Sequence, residues 1–293
     1  MNSEAMLAVA FSDLDRAALA AAVRRLEGPS FAGRIAALAG KPVGLVWQAL
    51  PPSTSERIAK VTRRALESAL DVALSSLRNG RLARGRLAQG RALHATLACA
   101  SGAIGGAFGS AALLIELPLS TTIMLRAIGA IARQEGEDLS DPETGLACLE
   151  VFALGASSPH GAGPESEYFA LRALLAREAL EVADFALDKG AVRESAPVVV
   201  RFLARIASRF GIVVSQKLMA EAVAIVGALG GAAVNLAFIE HFQQLARGHF
   251  TVRRLERIYG ADAVRTEYER IRSGCGHDPT PSQGIATRRG VSL

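Results

Sequence analysis

Two stretches of this chain are nearly free of charge and rich in glycine, and they limit what it can fold into. Ala95–Ile115 runs 21 residues without a charged side chain, and Ala222–Ile239 runs 18. A glutamate follows each at once, Glu116 and Glu240. Such segments must be buried, either against each other or in lipid, because little in them can face water. Half of all residues are apolar but only 5% are aromatic, and the apolar share is mostly alanine, leucine and valine. Alanine and leucine favour helices, whereas strands favour β-branched and aromatic side chains. The expected fold is therefore all-α, a multi-helix bundle around two glycine-rich apolar helices.

Gly102, Gly105, Gly106 and Gly109 in the first stretch, and Gly227, Gly230 and Gly231 in the second, are the helix-packing glycines this reading selects. Small residues at these spacings let helix backbones approach closely. Gly102–Ala107 (GAIGGA) returns as Gly227–Ala232 (GALGGA), and both copies continue into arginine-bearing helices, with Arg126 and Arg133 in one and Arg247, Arg253 and Arg254 in the other. The echo is read as pseudo-duplication or as convergence of simple text, and both stay open. A run of 21 residues is long enough to cross a bilayer core of about 30 Å. Both stretches are poor in the Leu, Ile and Phe that drive insertion. A buried hairpin, a span and a hairpin that inserts on contact with lipid all remain open, with composition favouring the buried form.

Periodicity places helices from Ser12 or Asp13 to Glu27, from about Ser55 through Leu77, from Pro142 behind the cap Asp141, over Tyr168–Lys189, and from Pro197 to near Gly211. A nearly unbroken helical pattern follows from Ile212 to Tyr259, and Glu116-Leu117-Pro118 reads as an interruption. The expected domains are an N-terminal helical appendage over 1–53, a helical domain over 54–272 and a disordered tail over 273–293. Acids at Glu4, Asp13 and Asp15, with no basic run before an apolar core, argue against a signal peptide at Met1–Arg16. Three scattered cysteines fit a reducing compartment.

Net charge is +5, and Arg78, Arg81, Arg84, Arg86 and Arg91 cluster just before the first apolar stretch. A juxtamembrane basic run of this kind attracts anionic lipid. Nucleic acid is not expected, because no aromatics interleave the arginines and no binding module is present. Glu116, Arg126, Asn235, Glu240, His241 and Arg247 are the candidate buried polar residues, the glutamates being costly to desolvate without partners. The plainer reading of each glutamate is that it marks where a helix leaves the core. His241 and His249 lie eight residues apart, about 80° around a helix, and form no compact ligand set. They read as packing residues. The acidic turn Glu137, Asp138, Asp141 and Glu143 lacks calcium-loop spacing and reads as helix capping. No G-x-S-x-G elbow occurs. No catalytic residue, metal or cofactor is assigned.

Glu116–Leu119 with Leu125-Arg126, Gly136–Leu139, Cys148–Gly155, Arg205–Gly211, Gly230–Asn235 and above all Phe238–Gly260 resemble the EcsC family of bacterial proteins. The resemblance covers about 54–272. It implies a non-enzymatic, membrane-associated accessory protein, its family namesake standing beside an ABC transporter, and it brings no catalytic set. The expected place is the cytoplasm, peripheral to or partly inserted in the inner membrane, with an anionic membrane surface and a membrane protein such as a transporter as partners. The alternative is a soluble helical protein that binds a lipid or other apolar ligand between its glycine-rich helices.

Overall fold

The structure, a computed structural model, describes residues 11–39, 56, 58–69, 113–156, 166–189, 197–222 and 227–275. Every regular element among them is a helix: α1 (Asp13–Leu26), α2 (Phe31–Ala39), α3 (58–69), α4 (Leu113–Gln134), α5 (Pro142–Leu154), α6 (Glu167–Lys189), α7 (Pro197–Ala222), α8 (Gly227–Tyr259) and α9 (Ala261–Cys275). The all-α bundle is the observed fold.

The starts follow from local chemistry. Ser12 accepts from the Asp15 backbone N–H to cap α1, and Asp141 accepts from Glu143 to cap α5, with Pro142 in the first turn where its missing N–H costs nothing. Gly260, at φ +86°, takes the left-handed turn that ends α8 and starts α9.

Three boundaries differ from the sequence reading. α7 continues through Gly211, because one glycine costs about 1 kcal/mol in a helix and the buried face continues from Phe210 into Val213 and Val214. α4 likewise runs through Pro118 without interruption. Residues 13–39 do not hang apart as an appendage. Leu19, Ala22, Val23, Leu26, Phe31 and Ile35 belong to the same hydrophobic core as the later helices.

α8 is the axis of the bundle. Its 33 residues span about 50 Å, and it packs against α1, α2, α4, α5, α7 and α9. α7 returns antiparallel to it, Phe210 lying against both Phe238 and Phe242. α1 also runs antiparallel, with Asp15 beside Arg254 and Leu26 beside Gly248. α4 packs against α8, and Glu135 at its C-terminal end is tied to Thr251 and Arg254 in the C-terminal part of α8. No helix among the described residues is long and apolar enough to cross a membrane.

The centre is aromatic. Phe152 of α5, Phe210 of α7 and Phe238 and Phe242 of α8 pack with ring centroids 4.9–6.1 Å apart, and Phe31 of α2 reaches Phe238 at 5.6 Å. Edge-to-face contacts at these spacings add to the burial itself. Two glycines permit the closest approaches. A Cβ on Gly155 would sit 2.5 Å from the Phe242 ring, and one on Gly248 would sit 2.7 Å from Leu26 Cγ and 3.2 Å from the Ala22 carbonyl oxygen.

Candidate functional site

The residues selected from sequence scatter. Gly102, Gly105, Gly106, Gly109, Arg78, Arg81, Arg84, Arg86 and Arg91 lie outside the described residues. Gly227, Gly230 and Gly231 fall in the first turns of α8, and Glu116 lies in the first turn of α4. Arg126 and Glu240 are exposed, so neither is a buried polar group: each sits on the outer face of its helix, where water solvates its charge. Arg247 is half-buried, and its Nη2 donates to Gln243 Oε1 at 3.5 Å. Only Asn235 and His241 of the described set are buried. His241 donates from Nε2 to the Gly155 carbonyl at 3.0 Å, joining α8 to the end of α5.

What the fold does bring together is a cluster of charges at the C-terminal half of α8. The α4–α5 turn presents two carboxylates to it. Glu137 accepts from Arg253 at 2.8 and 3.2 Å, from Arg257, and from the Thr144 hydroxyl at 3.3 Å. Glu135 accepts from Arg254 at 2.9 Å and from Thr251 at 3.3 Å, while its carbonyl accepts from Arg257 at 2.6 Å. Arg254 also pairs with Asp15 of α1 at 3.1 Å, and Tyr259 donates to the same carboxylate at 2.8 Å. From α6, Arg172 makes a two-pronged pair with Glu256 at 2.7 and 2.6 Å. One face of α8 is thus fastened by charge to α1, to the α4–α5 turn and to α6.

Beneath this layer lies a second set of polar groups in the dry interior. Tyr168 of α6 meets Nδ1 of His249 at 3.1 Å and stacks on Tyr268 of α9 at 5.7 Å. Tyr268 and Ser166 both donate to Glu27 at the end of α1, at 2.8 and 2.6 Å. Glu150 of α5 is buried, only 5% exposed.

The charge states follow from these surroundings. Burial pushes the Glu150 carboxyl up to about 7, against the pull of Arg172 and Arg253. Burial holds the His249 imidazole well below its ordinary range, and Arg172 and Arg253 push it the same way. Burial raises Glu137 too, but the hydrogen bonds from Arg253 and Arg257 outweigh it and hold the carboxyl below its usual value. The Cys148 thiol, buried beside these groups, is pushed up to about 12, so it carries no thiolate at neutral pH. Chemically the outer layer is a clamp, each carboxylate answered by guanidinium. In the inner layer, burial favours the neutral forms of Glu150 and His249. No group of three or more His, Cys, Asp or Glu side chains suited to a metal ion occurs among the described residues.

The acidic turn shows what the sequence reading missed. Asp141 caps α5, and Asp138 accepts from Ser140 at 2.9 and 2.7 Å, which is local turn chemistry. Glu137 accepts from nearby Thr144 as well, but its arginine partners are more than a hundred residues away on α8. Glu150 had a legible signal. It is the one charge between Gly145 and Gly155, in an otherwise apolar run. Arg253 and Arg257, one turn apart, mark the matching face of α8.

The model of the EcsC protein family matches residues 30–255. That interval begins at α2 and ends within α8, so it takes in most of the cluster and leaves out α1 and α9. No curated protein and no solved structure shows a significant match to the chain.

Proposed function

The chain belongs to the EcsC protein family, and on that premise we propose that it is a non-enzymatic accessory protein working at the cytoplasmic face of the inner membrane. The observation that carries this reading is in the sequence: two uncharged glycine-rich stretches, Ala95–Ile115 and Ala222–Ile239, come ahead of the clamp residues Glu137 and Arg253 along the chain. These stretches meet lipid in this reading. The arginines Arg78–Arg91, just ahead of the first apolar stretch, add attraction for anionic headgroups of about 1 kcal/mol each at the surface. A membrane protein is the partner there, and a transporter is the first to test, by co-purification.

Vesicle flotation tests the reading. The protein is expected to float with vesicles containing anionic lipid at low salt and to be released as salt screens the attraction. Replacing Arg78, Arg81, Arg84, Arg86 and Arg91 together by Gln should abolish flotation and leave the helical spectrum unchanged. Protein that stays at the bottom with anionic vesicles at low salt rules the reading out.

A further inference from the structure

α1 fills a groove whose walls are built by other helices. Its apolar stripe, Leu19, Ala22, Val23 and Leu26, is at most 5% exposed. It crosses α8 where Gly248 leaves room: a Cβ there would sit 2.7 Å from Leu26 Cγ and 3.2 Å from the Ala22 carbonyl oxygen. Polar contacts hold both ends of the helix. At its start Asp15 pairs with Arg254 at 3.1 Å and accepts from the Tyr259 hydroxyl at 2.8 Å. Just past its end Glu27 accepts from Ser166 at 2.6 Å and from Tyr268 at 2.8 Å.

Occupant and groove differ in standing. Gly248, Arg254 and Ser166 lie within the interval 30–255 that the family model matches, whereas α1 lies outside it. A helix of 14 residues is marginal in water by itself, so the groove and not the α1 sequence keeps it helical. Once out of the groove, α1 loses its structure and the groove keeps its own.

We propose that α1 is a displaceable plug in a helix-binding groove of the family module, and that the partner of this groove is an amphipathic helix carrying the pattern of α1. That pattern is an acid in the first turn for Arg254, an apolar stripe at the spacing of Leu19, Ala22, Val23 and Leu26, and a carboxylate after the last turn for Ser166 and Tyr268. Charge and size make the groove selective. A basic residue in the first turn would face Arg254, and a large residue in place of Ala22 would hold the two backbones apart at Gly248. The groove takes such a helix whether or not the protein binds lipid, so failure of vesicle flotation leaves this partner site untouched.

A labelled peptide of residues 11–28, added to the full chain and followed by fluorescence anisotropy, tests this. The tethered α1 competes at high effective concentration, so the parent protein should bind the peptide weakly. Asp15→Asn and Arg254→Gln break the same ion pair and loosen α1 alike, but only the first leaves the groove intact. Asp15→Asn should therefore bind the peptide about tenfold more tightly than the parent, and Arg254→Gln no better than the parent. Equal binding by the two variants, or no binding by Asp15→Asn, overturns the proposal. Should a variant lose its helical spectrum, hydrogen exchange of the parent decides. Amides of α1 are expected to exchange ahead of those of α8 from Leu245 to Leu255, and exchange of both as one unit is equally fatal.

Discussion

At Gly248 the crossing of α1 over α8 turns on one missing methyl group. A Cβ there would sit 3.2 Å from the Ala22 carbonyl oxygen, which is backbone and cannot swing aside, and 2.7 Å from Leu26 Cγ, which is itself in the core. Overpacking of this kind costs about 1–3 kcal/mol. Gly248→Ala should therefore lower the urea midpoint by that measure. Gly211 supplies the contrast, since it too is helical but a Cβ added there would meet nothing within 4 Å. Gly211→Ala should raise stability by about 0.5–1 kcal/mol through helix propensity. Equal effects at the two positions would show that propensity, not the crossing, governs Gly248. Nothing local marks Gly248, which stands alone between Arg247 and His249. The glycines that draw attention in the sequence do so by clustering, whereas a close crossing depends on where a distant helix passes.

Among the elements, the α4–α5 turn depends on Glu137 more than on its own caps. Glu137→Gln keeps the side-chain volume but leaves Arg253 and Arg257 facing a neutral amide. Breaking a fully buried pair costs about 3–5 kcal/mol. Here the arginine side chains keep 23% and 43% of their exposure, so solvent offsets part of the loss and about 2 kcal/mol is expected. Hydrogen exchange should quicken first in the opening turns of α5, which the clamp holds to α8. Unchanged exchange there would mean that the hydrophobic contacts of Leu146 and Leu149 suffice without the ion pairs. The caps and most helix positions of this region were legible because they are local: Ser12, Asp141 and Pro142 act on neighbours within three residues. The clamp was not, because Glu137 and Arg253 stand 116 residues apart and either alone reads as a solvated charge. α2 was missed for a related reason. Its nine residues are too short for a period to stand out, and burial of Phe31 and Ile35 against the rest of the core sustains it.

For the molecule as a whole, buried titratable groups set how stability depends on pH, and His241 is one of them. Its Nε2 donates to Gly155, while Nδ1 is buried without a hydrogen bond. Burial holds the imidazole down to about 4, against the opposing pull of the Gly155 carbonyl. The folded value lies below the unfolded one of 6.5, so the unfolded chain binds this proton first as the solution is acidified. The stability from a neutral His241 is therefore fully present above pH 6.5 and is lost as pH falls toward 4, by about 3 kcal/mol in all. Below about pH 4.5, protonation of Glu137, held low by its two arginines despite its burial, continues the loss as the clamp is released. His241→Gln, which can still donate to the Gly155 carbonyl, should make the profile less steep between pH 6.5 and 4.5 while leaving the loss below pH 4.5 in place. Thermal unfolding followed by circular dichroism at half-unit steps would read both limbs, and a variant whose slope between 6.5 and 4.5 matched the parent would remove His241 from the account.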